Sequence, residues 1–217
     1  MGVSDASNVP FVATELQRLK PRSVLDIGVG FGKWGVVARE YLEAWQGRFR
    51  REEWQVRVEG IEIFEAYRNP VWDAVYDRVH IGDALELVGT LGHFDVALIC
   101  DVIEHMDKAA GLQLLRRLLD SCDTVIVTTP LSFWPQQEEH GNKHEKHISL
   151  WQPADFGEFS GQVVELGATF AAVMSPPKGD HRKPRLQKRL DHVGVRLLLR
   201  ALVRRVTLKA LGRAPNS

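Results

Sequence analysis

Three glycines at every second position, Gly28, Gly30 and Gly32, follow an apolar run that carries Asp26 near its end, in the stretch VLDIGVGFGKWG. Glycine lets a chain turn sharply and lets a ligand approach the backbone with no Cβ in the way. Two ligand chemistries compete for such a turn. A dinucleotide turn, G-x-G-x-x-G, rests a pyrophosphate on a helix N-terminus; read from Gly28 it fails at Lys33, and read from Gly30 it is met by Gly32 and Gly35. Spacing therefore leaves a dinucleotide open. Asp26 argues against it, because a carboxylate at a strand end is poorly placed beside a diphosphate and well placed beside a cation such as a sulfonium or an α-ammonium group. A second concentration of chemistry is TTPLSFWPQQEEHGNKHEKHISLWQPADF, a long polar stretch punctuated by aromatics.

These groups need a scaffold, and apolar runs alternate with helical patterns to supply one. RSVLDIG reads as a buried strand and residues 33–46 as a helix. A charged connection, QGRFRREEW, leads to the strand QVRVEGIEI. Residues 64–75 read as partly helical, with Pro70 against it. RVHIG and FDVALIC follow as strands, then KAAGLQLLRRLLDS as an amphipathic helix with Leu112, Leu115 and Leu119 on one face, then the strand DTVIVTTP. Strands separated by helices imply parallel pairing and right-handed crossovers, hence a doubly wound α/β sheet. QVVELG and TFAAVMS are close enough to pair as an antiparallel hairpin.

Composition sets the class. The 217 residues suffice for one domain with a full core, and 44% hydrophobic with 26% charged residues is the balance of a soluble globular protein. The first residues have neither the basic start nor the apolar core of a signal peptide, and Cys100 and Cys122 make no disulfide framework, so a cytoplasmic protein is expected. The zero net charge hides an asymmetry: residues 178–217 hold 12 of the 28 Lys and Arg but only two acids, Asp180 and Asp191, leaving residues 1–177 at −10. An acidic body with a basic tail argues against a nucleic-acid groove across the main domain. The expected division is therefore a domain over 1–177 and a basic tail over 178–217.

With its motifs in order, the sequence from Val9 to Met174 resembles the class I S-adenosylmethionine-dependent methyltransferases. That resemblance implies a Rossmann-like seven-stranded sheet of order 3-2-1-4-5-7-6 with the last strand antiparallel, and S-adenosyl-L-methionine as cofactor. It implies that Asp26, Gly28, Gly30 and Gly32 line the methionine part. VEGIEIF places Glu62, with Ile63 beside it, on the ribose hydroxyls. HIGDALEL places Asp83 and the backbone of Ala84 against the adenine, and FDVALICDVIEHM leads into the active site at Asp101 to His105. Glu62 lies 32 residues beyond Gly30, against about 20 in nucleotide folds; the charged insertion accounts for the excess. Taken singly, Glu62 or Asp83 could be a solvated loop acid.

The long polar stretch is similar to the substrate loop of a bacterial branch of that family, often associated with sugar and cell-envelope biosynthesis. Its pattern is T-P…Q…G-N…E-x-H-x-S-x-W…D-F, matched from Thr129 to Phe156. Transfer to a hydroxyl needs the proton removed, and a general base contributes roughly 10²–10⁴-fold. His147 is the expected base, with His105 second and Glu145 orienting the imidazole, while Phe133, Trp134 and Trp151 exclude water or stack on the acceptor. The bland alternatives are that Glu104 and His105 satisfy a helix N-terminus and that His147 bonds the loop backbone. His140, His144 and His147 with Glu138, Glu139, Glu145 and Asp101 could be weighed as metal ligands, but Gly141 and Asn142 interrupt any helix aligning them and no metal is assigned.

Residues 183–213 read as a basic amphipathic helix, suited either to the inner face of an anionic membrane or to docking on the acidic body. The expected function is methyl transfer to an oxygen of a small molecule, such as a sugar, glycolipid or related metabolite. Nitrogen or carbon methylation, a non-catalytic cofactor-binding regulatory module, and more weakly a nicotinamide enzyme remain as alternatives.

Overall fold

The computed structural model describes residues 5–138 and 141–176. The tail and the division at 177/178 lie outside the described residues, as do Glu139 and His140. Helix α1 (Asn8–Leu19) precedes β1 (Ser23–Ile27). Then come α2 (Lys33–Leu42), β2 (Arg57–Glu62), α3 (Pro70–Val75) and β3 (Arg78–Ile81). The second half runs α4 (Ala84–Leu87), β4 (Phe94–Cys100), α5 (Lys108–Ser121), β5 (Cys122–Pro130), β6 (Ser160–Glu165) and β7 (Thr169–Ser175). The strands form one sheet of order β3-β2-β1-β4-β5-β7-β6, parallel from β3 to β5, with β7 antiparallel to both β5 and β6. The order and the antiparallel hairpin are those expected.

The central strands are apolar at nearly every position because both faces are covered. Along β4, Ala97 and Ile99 face a cluster with Leu114, Leu118 and Trp151, whereas Val96, Leu98 and Cys100 face Val12, Leu16, Trp34 and Val37 on the other side. All of these residues are buried.

Several local expectations shift. Helix α1 was not foreseen. The first crossover helix stops at Leu42 and gives way to a 3-10 turn, Ala44–Gln46. The inserted connection is pinned by Glu43, which is fully buried and accepts from the amides of Gln55 (2.7 Å) and Val56 (2.6 Å) and from the Arg48 guanidinium. Pro70 begins α3 rather than breaking it, since the first turn of a helix has no use for that N–H, and Asn69 caps it by accepting from Val71 N. Helix α5 buries Gly111, Leu114, Leu115, Leu118 and Leu119, and leaves Leu112 only partly covered.

Candidate active site

Parallel strands bring their carboxyl ends to one edge, and a cavity of about 1070 Å³ opens there. It is lined by Gly28 and Gly30 of the glycine turn, the ends of β2, β3 and β4, and the loop after β5, whereas Gly32, expected beside them, sits at the start of α2 against Val71 and Trp72 and does not line it. Gly28, Gly30 and Gly32 all have positive φ, at 76°, 52° and 104°, a region costly for residues with a Cβ. At the end of β2, Glu62 is buried yet lines the cavity. Its two carboxylate oxygens accept from Gly30 N and Phe64 N, each at 2.9 Å. Burial raises its pKa, opposed by those backbone hydrogen bonds. Ile63, Asp83 and Ala84 line the same cavity. Asp83 also caps α4 by accepting from Leu85 N at 2.8 Å.

Asp26 departs from expectation. It has no exposed surface and is not among the cavity-lining residues. Its Oδ2 accepts from the Tyr76 hydroxyl at 2.5 Å, and the same hydroxyl oxygen accepts from Gly35 N at 2.9 Å. A Cβ on Gly35 would lie 2.4 Å from the Tyr76 ring, so this glycine admits the tyrosine rather than a pyrophosphate. Oδ1 of Asp26 finds no hydrogen-bond partner among the described residues. Burial pushes the carboxyl up to about 7. Its place is beneath the turn, where it holds Tyr76.

Asp101, immediately after β4, lines the cavity with φ of 54°. Asn8 donates to both of its carboxylate oxygens, at 3.3 and 3.1 Å, and Thr128 adds a third bond at 3.2 Å. Asn8 in turn accepts from Thr169 at 2.6 Å. A left-handed aspartate is thereby fixed by residues from α1, β5 and β7. Asn8 was missed in the sequence because no periodicity marks it. Lys33 faces the same region; burial lowers its pKa while the charge of Asp101 raises it.

The loop after β5 reaches the opposite wall, and alternate residues explain its motif. Tyr67, after β2, donates to Glu145 at 2.7 Å, and Gln136 donates to the Glu145 carboxylate at 3.1 Å and to its carbonyl at 2.8 Å. His147 meets the carbonyl of Trp134 through Nδ1 at 2.7 Å. The amides of Ile148 and Ser149 donate to the Glu104 carbonyl, and Trp151 Nε1 donates to the carbonyl of Ile103 at 3.0 Å. Trp151 is fully buried against α5, where a Cβ on Gly111 would meet it at 2.5 Å. It anchors the loop and does not line the cavity, as it was expected to do; Trp134, 69% exposed, does line it.

This anchoring sets His147 beside His105, ring centroids 4.6 Å apart and edge to face. His105 Nδ1 meets the carbonyl of Lys146 at 3.2 Å. A carbonyl only accepts, so Nδ1 of each ring carries the hydrogen and Nε2 keeps its lone pair in the neutral form. Main-chain carbonyls therefore orient both imidazoles, the task expected of Glu145. Burial, then the neighbouring His147, lowers the pKa of His105. Glu104, buried and bonded by Thr129 at 3.1 Å, has its carboxyl pushed up to about 8, first by burial and then by the charge of Asp101.

No protein-family model and no curated protein matches the sequence. Solved structures do. The chain is similar to the methyltransferase domain of bacterial CtHen1, at 15% identity and a TM-score of 0.54 over 78% of this chain and 97% of that one. It is similar to an O-methyltransferase family protein from Burkholderia thailandensis, at 11% and 0.57 over 80% and 56% of the two chains. A SAM-dependent methyltransferase from Archaeoglobus fulgidus aligns at 15% and 0.53 over 77% and 94%. Strand order and neighbours together give the chain the Rossmann-like fold of the S-adenosylmethionine-dependent methyltransferases.

Proposed function

We propose that the chain is an S-adenosylmethionine-dependent methyltransferase acting on an oxygen of a small molecule, such as a sugar, glycolipid or related metabolite. The observation that carries this reading is the convergence of the glycine turn, Glu62, Asp83 and the His105–His147 pair on one cavity. The donor and acceptor set suits the cofactor. Glu62, oriented by two backbone amides, retains lone pairs for a ribose diol. Asp83 and Ala84 stand where an adenine edge would be read, and Gly28 and Gly30 line the cavity where the methionine part would lie. The cofactor supplies an activated methyl carbon.

The chain's own work is to hold, orient and dry the acceptor. Positioning of this kind contributes ~7–11 kcal/mol to a bimolecular displacement. Trp134, Ile148 and Met106 line the acceptor end and give it apolar surface. The acceptor's hydroxyl meets the His105–His147 pair, whose Nε2 lone pairs are left available by the carbonyls at Nδ1. His147 is the residue assigned to activate it. Glu145, tied to Tyr67 and Gln136, holds the loop in place.

Calorimetry with S-adenosylhomocysteine and with NAD tests the cofactor assignment; the expected result is binding of the first alone, and preference for NAD refutes it. A methyl-transfer screen against sugars, lipids and phenols then identifies the acceptor, with His147→Ala expected to lose roughly 10²-fold or more in rate.

A further inference from the structure

Glu104, His105 and His147 each offer one ligand atom, and these atoms all lie within 4.8 Å of one another. Glu104 and His105 sit in the 3-10 turn Ile103–His105 after β4, and His147 is brought to them by the amides of Ile148 and Ser149 on the Glu104 carbonyl. Neither segment has a metal-binding spacing by itself, so only the fold assembles the set. We infer that these three side chains form a binding site for a divalent first-row metal ion, of the zinc, cobalt(II), iron(II) or manganese(II) class, at the acceptor end of the cavity.

Three features argue for it. Bonds of about 2.1 Å to a tetrahedral ion set ligand atoms about 3.4 Å apart, so movements of at most about 1.4 Å between side chains close the trio on an ion. Metal-bound histidines characteristically donate their other ring N–H to a carbonyl or carboxylate, which fixes the tautomer. Both imidazoles do so here, to Lys146 O and Trp134 O, and both are thereby left with Nε2 as the ligand atom. The carboxylate partner is also held, by the Thr129 hydroxyl at 3.1 Å. Two imidazoles and one carboxylate are the donor set of ions that keep open positions for water or substrate oxygen.

A second trio, His93, Asp95 and Asp123, lies at the opposite end of the sheet and satisfies the same distance test. Its atoms are already engaged: His93 Nε2 meets Asp123 at 3.1 Å, and Asp95 Oδ2 accepts from Arg22 N at 2.6 Å. The cavity site is therefore the one assigned. It deepens the methyl-transfer reading and rests on that reading only for the use of the ion. A hydroxyl coordinated to such an ion gives up its proton to solvent more readily than a free one, so with the ion bound His147 would hold the ion that holds the acceptor in place of taking the proton itself.

The test is titration of the chelator-stripped full-length protein with cobalt(II), followed by visible absorption, and with zinc(II), followed by equilibrium dialysis. One ion per chain is expected at the cavity site. Affinity should fall at least tenfold in His147→Ala and in Glu104→Ala and stay within twofold in His144→Ala. Circular dichroism establishes that each variant is folded, and His105→Ala serves if Glu104→Ala is not. Absence of stoichiometric binding overturns the proposal, as does binding that His147→Ala and His105→Ala leave unchanged. Calorimetry with S-adenosylhomocysteine on the same stripped protein separates the two readings: cofactor binding without metal binding sinks this inference alone, and metal binding without cofactor binding sinks the functional one alone.

Discussion

Tyr67 donates its phenolic hydrogen to Glu145 at 2.7 Å, joining the segment after β2 to a residue 78 positions further along the chain. That bond ties the cofactor side of the cavity to the loop that carries His147. Tyr67→Phe leaves the buried Glu145 carboxylate short of one donor, at a cost of about 1–3 kcal/mol. The expected result is faster amide exchange over residues 142–149 with the central strands unchanged, and a higher KM for the acceptor. Unaltered exchange in that segment would show that the bond does not hold the loop.

The buried Asp26 predicts a pH-dependent stability of unusual sign. Its carboxyl is pushed up to about 7, chiefly by burial, whereas an unfolded chain titrates near 3.9. Between those values the native chain holds a proton that the unfolded chain has released, so this group lowers stability as pH rises from about 4 to about 7, and the loss is complete above that. The upper bound is about 4 kcal/mol. Asp26→Asn keeps an acceptor for Tyr76 and removes the titration. Its melting temperature relative to the native chain should rise between about pH 5 and about pH 8; a constant difference would rule this out.

Glu62 accepts one backbone hydrogen on each oxygen. Glu62→Gln replaces one acceptor by an amide donor that must face Gly30 N or Phe64 N, which unseats the turn as well as the proposed ribose contact. Calorimetry should record an S-adenosylhomocysteine affinity lower by about 10- to 100-fold, the equivalent of one unmet buried bond. An unchanged Kd would remove Glu62 from the binding site.

In α5, Gly111 makes room for the indole of Trp151. An alanine usually strengthens a helix by about 1 kcal/mol over glycine, but here its Cβ would meet Cζ2 at 2.5 Å and Ile103 at 3.1 Å. Gly111→Ala is expected to destabilise by about 1–3 kcal/mol, and to release the loop anchored by Trp151. A raised melting temperature would show the indole to be loosely packed.

The sheet was legible because strands covered on both faces are written as continuous apolar runs, and because the glycines and acids fall at their carboxyl ends. Helix α1 escaped notice: its buried side includes Asn8 and Glu15 beside Val12, Ala13 and Leu16, which blurs the apolar stripe, and no side chain caps its start. Asp26 was read as a ligand group because its partner, Tyr76, lies 50 positions away and nothing local announces the bond. The alternating E-x-H-x-S-x-W residues were visible as a pattern, but their division of labour was not. Glu145 latches, His147 faces the cavity, and Ser149 and Trp151 anchor to Ile103 and Glu104. That assignment depends on carbonyls, which carry no sequence signature.

His147 is steadied by the carbonyl of Trp134, not by its indole. Any amino acid with the same backbone path would offer that oxygen. If His147 is the activating residue proposed above, position 134 can be exchanged to admit differently shaped acceptors while that imidazole keeps its aim. At this one residue the indole shapes the cavity and the carbonyl aims the histidine, and the two can vary separately.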